Sequence, residues 1–225
     1  MKFLVFSDVH GDISGLKKVL AAAANEMRTC DAIICNGDFT DMFKVRRGLQ
    51  LANVRDAVAL LVATGKATFC VPGNHDPHES IAVFEGAGTN LHGKRRTIGG
   101  FDFVGFGGAT TPFNTNFEPS DEETYDALDA LAGAARNPTV FVLHAPAKDC
   151  LDGTGHGMHV GSETLRGLIA HHKPVLALSA HIHEAAGTAK LGETTVFYPG
   201  PLYEGFYGVV TLEKGKAPGC LVKRL

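Results

Sequence analysis

The chain has 225 residues, 44% hydrophobic and 20% charged, enough apolar mass to bury a sizeable core as one globular domain over residues 1–225. A formal net charge of −3 argues against an extended nucleic-acid surface and against an anionic membrane as partner. Cys30, Cys35, Cys70, Cys150 and Cys220 form an odd set without a CxxC pair, and are read as reduced filler rather than a disulfide or zinc framework.

The opening run Met1–Phe6 is apolar but meets Ser7-Asp8 within one strand length. It is too short for a signal-peptide core or a membrane span, so the expected location is cytoplasmic. Strand and helix patterns then alternate: strand at Phe3–Phe6, helix at Ser14–Asn25 with Ser14 as its N-cap, strand at Ala32–Cys35, helix at Gln50–Ala63, strand at Ala67–Val71. That order predicts βαβ units and a largely parallel sheet. Arg95–Ile98 and Phe101–Phe106 flank Gly99-Gly100, a hairpin signal that starts a second strand system. Helix at Asp121–Ala135, strand at Thr139–Leu143, helix at Ser162–His172 and strand at Val175–Leu178 follow. Strands at Gly187–Lys190, Thr194–Tyr198, Gly208–Glu213 and Cys220–Val222 close the chain. Two mixed sheets packed face to face, with helices outside, would hold both halves.

The polar residues that carry chemistry recur where apolar runs end. Asp8 and His10 follow the first run at i and i+2, so they project to one side. Asp38 follows Ala32–Cys35, with Gly37 permitting a sharp turn and leaving room beside the carboxylate. Asn74, His75 and Asp76 pack an amide, an imidazole and a carboxylate into three positions after Phe69-Cys70-Val71. His144 ends Val140–Leu143, and His181 and His183 follow Val175–Leu178 at i and i+2. Any one of these is ordinary turn chemistry. Together they supply about seven hard-oxygen or imidazole donors at the carboxyl ends of strands, where α/β folds gather their ligands.

The ordered set Asp8-x-His10, Gly37-Asp38, Gly73-Asn74-His75-Asp76, His144 and His181-x-His183 resembles the calcineurin-like metallophosphoesterase family, single-domain phosphodiesterase type. The resemblance implies a four-layer αββα sandwich and two divalent transition-metal ions (Mn, Fe, Zn, Ni or Co, with Mn favoured). Asp38 would bridge them, with Asp8, His10 and His183 on one ion and Asn74, His144 and His181 on the other. It also implies that His75 is a proton donor, that Asp76 orients it, and that Asn74 touches substrate. The implied partner is a small phosphate ester, nucleotides among them, cut as a diester by metal-held hydroxide. Ala180 departs from the glycine the family usually places before the last His-x-His. His156 and His159, in a Gly-rich stretch after His144, are further expected substrate contacts, whereas His78, His92, His171 and His172 are read as solvent or packing residues without partners.

Other readings share these ligands. A non-catalytic scaffold is disfavoured because His75 and every ligand are present; a phosphomonoesterase would want arginine beside Asp38 or Asn74, where Arg46 and Arg47 are the nearest.

Overall fold

In Phe3–Phe6 every side chain is buried, yet the period of two sends Phe3 and Val5 to one face of the strand and Leu4 and Phe6 to the other. A strand so built must be covered on both sides, which is why it reads as a continuous apolar run. The computed structural model, which describes residues 1–225, supplies both covers.

One sheet has β1 (Lys2–Phe6), β2 (Ala32–Cys35) and β3 (Ala67–Cys70) in parallel, extended by β10 (Phe206–Thr211) and β11 (Gly219–Arg224) in the order β11-β10-β1-β2-β3. The other has β4 (Lys94–Ile98), β5 (Phe101–Phe106), β6 (Thr139–Leu143), β7 (Leu176–Leu178), β9 (Thr194–Tyr198) and β8 (Gly187–Leu191), in that spatial order. Its four central strands are parallel and its edges antiparallel, so both sheets are mixed. Phe3, Val5, Ile34 and Val71 meet Phe103, Val142, Leu178 and Phe197 between the sheets.

Outside the first sheet lie α1 (Ile13–Ala22), α2 (Ala24–Thr29), α3 (Arg47–Val62) and α4 (Ser80–Gly86); outside the second lie α5 (Asp121–Gly133) and α6 (Glu163–His172). The expected four-layer sandwich is therefore the fold.

Details differ from the sequence reading. The helix expected at Ser14–Asn25 is two helices that part at the buried Ala23, and its cap is Asp12, not Ser14. Asp12 Oδ1 accepts from Gly15 N at 2.8 Å. The short α4 has too few residues to show a helical period. Gly99 and Gly100 take positive φ (59° and 78°), as the hairpin requires.

Candidate metal centre

The parallel strands β1, β2, β3, β6 and β7 all end at one edge of the sandwich, so the segments after them converge although they span residues 8 to 183. Asn36, fully buried, fastens the two sheets there: its Nδ2 donates to the carbonyls of Leu143 (3.1 Å) and Ser179 (2.7 Å). Four of the expected ligands sit at left-handed φ: Asp8 (52°), His10 (47°), Asp38 (52°) and His181 (73°). Asp and His tolerate this region better than most residues, and such strain collects at sites that must aim side chains. Ala180 is not among them; it is buried, and its N–H donates to the His144 carbonyl at 2.9 Å.

Asp8, His10 and His183 form one donor group and Asp38, His144 and His181 another, and a third, His10, Asp38 and His75, links them, each with ligand atoms within 4.8 Å of one another. Asp38 Oδ2 lies 3.6 Å from His10 Nε2 and 3.4 Å from His144 Nε2, between the groups, while Oδ1 accepts from His75 N at 2.9 Å. His144 Nδ1 donates to the Asn36 carbonyl (2.9 Å), which leaves the lone pair on Nε2, and that atom faces Asn74 Oδ1 at 3.1 Å. His10 Nε2 and His183 Nε2 stand 3.1 Å apart. Lone pairs aimed at one another in a buried site repel unless a proton or cation lies between them. The donor chemistry fits divalent transition metals.

The electrostatics agree. Burial works against the charge on Asp38, yet the imidazoles of His144, His10 and His75 hold its carboxyl far below the usual range. Asp8 is lowered likewise, burial again being outweighed by His183 and His144. Burial opposes a proton on His144, but Asp38 and Asp8 push its pKa up to about 9; His183 is raised in the same way by Asp8. Burial and neighbouring His144 push His181 down to about 4.

Glycines clear the space. A Cβ on Gly73 would lie 2.0 Å from Asp38 Oδ1, and one on Gly37 would lie 2.5 Å from His144 Nδ1. The glycine that makes room for the carboxylate is thus Gly73; Gly37 makes room for the imidazole.

His75 stands beside the first group, its ring centroid 4.9 Å from that of His10. Met42 N donates to its Nδ1 at 3.2 Å, so the neutral ring keeps its proton on Nε2. The orienting role expected of Asp76 is corrected here. Asp76 turns away, accepting from Gly73 N (2.8 Å) and Thr40 N (3.0 Å), and fixes the backbone beneath the site. The carboxylate next to His75 is Asp41, with Oδ1 3.6 Å from His75 Nδ1 and Oδ2 3.5 Å from His10 Nδ1. His10 Nδ1 is buried without a hydrogen-bond partner, and Asp41 is the anion nearest to it. Its spacing, three residues after Asp38, was the available signal.

Two tyrosines also escaped the sequence reading. Tyr198 OH, at the end of β9, donates to Asp8 Oδ2 at 2.9 Å; Tyr203 OH is 3.0 Å from His183 Nδ1. Both lie in an apolar, Pro/Gly-punctuated stretch that reads as strand and turn.

His159 Nδ1 bonds Asp152 at 2.7 Å, and His156 lies in an exposed turn; neither belongs to the donor groups around Asp38. The histidines expected to lack partners have them. His92 Nδ1 accepts from Gly107 N (3.0 Å), His78 stacks on Phe117 with centroids 4.5 Å apart, and His172 pairs with Asp129 at 2.9 Å. His171 meets His172 edge to face.

Residues 1–185 match the family model described as calcineurin-like phosphoesterase. MJ1162, an uncharacterised protein of Methanocaldococcus jannaschii, is 32% identical over 210 residues, which cover 89% of this chain and 88% of its own. Among solved structures, TT1561 of Thermus thermophilus superposes with a TM-score of 0.77 at 22% identity, covering 99% of this chain and 98% of its own. A dimetal phosphatase from Danio rerio, LOC 393393, gives a TM-score of 0.74 at 14% identity, covering 100% and 98%. At these identities the two structures speak to the fold alone.

Proposed function

The chain belongs to the calcineurin-like phosphoesterase family, and from that premise we propose that it is a phosphodiesterase holding two divalent transition-metal ions, manganese favoured. Asp8, His10 and His183 would hold one ion, Asn74, His144 and His181 the other, and Asp38 both. The observation that carries this reading is the crowding of buried lone pairs around Asp38 Oδ2, with His10 Nε2 at 3.6 Å and His144 Nε2 at 3.4 Å. When bound, a metal pair supplies Lewis acidity and a water whose pKa falls from 15.7 to roughly 7.

The chain's own residues do the rest. Asp38 fixes the spacing of the two donor groups, and Tyr198 occupies one oxygen of Asp8 so that the other is presented to its group. In its acid form His75 would carry protons on both nitrogens, Nδ1–H turning from Met42 N to Asp41 and Nε2–H going to the departing alcohol oxygen.

Diester preference rests on what lies beside the site. Arg46 and Arg47 begin α3, and Arg47 lines a groove with Pro77, His78 and Asn116. The cation next to the cluster is Lys44, already 3.2 Å from Asp41 Oδ2. A dianionic monoester is best matched by a bidentate arginine, and no arginine is hydrogen-bonded or ion-paired to Asp8, His10, Asp38, Asn74 or His75. The substrate would be a small ester, nucleotides included. The five free cysteines suit a reducing compartment such as the cytoplasm.

Elemental analysis after metal-free purification and reloading should find about two ions per chain, together with higher kcat/KM for bis-p-nitrophenyl phosphate than for p-nitrophenyl phosphate. A ceiling of one ion sinks the dinuclear reading. A tenfold monoester advantage that vanishes in Arg47→Ala or Lys44→Ala would identify a monoester clamp instead.

A further inference from the structure

On the His144 side of Asp38 a cavity of about 250 Å³ opens between the segments that follow β5 and β6. His181 forms part of its wall, so it adjoins the metal centre directly. Thr124 and Ser162 contribute hydroxyls and Val160 an apolar flank. Asp121 and Glu163, both exposed in the first turns of α5 and α6, bring two carboxylates to the lining.

The acid stands elsewhere. His75 packs against His10 at 4.9 Å, whereas His181 packs against His144 at 5.3 Å. A leaving group protonated by His75 departs on the His10 side, and the cavity opens on the other.

We propose that this cavity takes the organic substituent that stays on phosphorus when a diester is cut, and that Asp121 and Glu163 select a neutral hydroxyl-bearing or cationic substituent over an anionic one. The proposal rests on the phosphodiesterase reading above and deepens it. In the reaction the phosphorus–oxygen bond to the leaving group breaks and a new one forms to water oxygen. The His75 proton goes to the leaving alcohol, the proton lost by the water passes to solvent, from which His75 is reprotonated, and a monoester remains with its substituent in the cavity. A monoester substrate has only a leaving group and no second substituent for the cavity.

Size and charge define the occupant. Ligand pockets usually measure ~300–1,000 Å³, so this one suits a single ring, a sugar or a short polyol rather than a second nucleotide. Carboxylates accept hydrogen bonds from vicinal hydroxyls, as acidic residues do from ribose, attract a cationic head group, and repel a phosphate or carboxylate.

The test uses the metal-loaded protein and p-nitrophenyl phosphodiesters whose second alcohol is glycerol, choline or glycolate, so that the leaving group is constant and only the retained substituent changes. Wild type should prefer glycerol and choline to glycolate. Filling the cavity by Val160→Trp should lower the ratio of diester to p-nitrophenyl phosphate turnover about tenfold or more, the usual effect of blocking a pocket. The pair Asp121→Asn and Glu163→Gln, which leaves the backbone alone, should raise glycolate relative to glycerol about fivefold or more by removing like-charge repulsion. A wild type that cuts none of the diesters overturns the phosphodiesterase reading and this one with it. Diester turnover with ratios unmoved by either set of variants overturns the cavity assignment alone.

Discussion

Asp41 lies between two imidazoles with different duties, 3.6 Å from His75 and 3.5 Å from His10, so a single carboxylate steadies a proton donor and a metal ligand. Its own orientation is fixed by the N–H groups of Phe43 (2.9 Å) and Lys44 (3.0 Å), which both bond Oδ1. His75→Ala should lower turnover of alkyl diesters about 10²–10⁴-fold, the usual worth of a general acid, and cost less for p-nitrophenyl esters, whose leaving oxygen needs little protonation. Asp41→Asn should cost about 10–100-fold with the metal count unchanged, because it removes a positioning contact and not the donor. Equal losses on alkyl and p-nitrophenyl esters in His75→Ala would show that this ring does not protonate the leaving group. The left-handed conformations of Asp8, His10, Asp38 and His181 cost of order 1 kcal/mol each, and the hydrogen bonds around them hold that strain in place.

At the scale of elements, Asp102 shows how a strand is tied to its neighbours away from the site. It is buried in β5 and accepts from Thr97 Oγ1 (2.6 Å), Arg136 N (2.9 Å), Asn137 N (3.1 Å) and Asn137 Nδ2 (3.1 Å). The β4–β5 hairpin is thereby fastened to the turn between α5 and β6. Burial opposes its charge, but Thr97 and the backbone donors win and keep the carboxyl well below the usual range. A carboxylate depressed in the folded state stabilises above its unfolded pKa of about 3.9, and loses that contribution as pH falls toward the folded value. Asp102→Asn keeps the shape but aims an amide at donors, so it should cost about 2–3 kcal/mol at neutral pH. Urea midpoints of the two proteins should converge as pH drops below about 4. A gap independent of pH would mean that packing, not charge, is what Asp102 supplies.

Across the whole molecule the last forty residues join both sheets. β9 pairs with β7 in one sheet and β10 pairs with β1 in the other, with Phe3 opposite Val210. Phe197, Val210 and Leu212 then fill the space between the sheets. These residues, together with Tyr198 and Tyr203, lie beyond the segment matched by the family model, which ends at 185. A chain cut after Ala185 should therefore fail to unfold cooperatively in urea and should not retain metal, since it loses inter-sheet core and the phenol on Asp8 together. A truncated chain that melts in a single transition and binds metal as the full chain does would show that the strands after 185 are dispensable to the centre.

The sequence by itself determined the alternation of strands and helices, the four-layer class, and the ligand types, because each is written locally. Apolar runs such as Val140–Leu143 end in His144, and a strand end near other strand ends delivers its polar residue to the same edge. Tertiary structure decided what depends on direction and on distant partners. In the chain Asp76, next to His75, is the carboxylate that looks suited to it, and only the folded loops turn Asp41 toward the ring and Asp76 toward Gly73 and Thr40. Asn36 is an ordinary turn residue until Leu143, 107 positions away, comes within 3.1 Å of it. The tyrosines on Asp8 and His183, and the cavity beside His181, arise likewise from segments that meet only when both sheets have closed, because side-chain direction at a strand end is set by the loops packed over it and not by the local repeat.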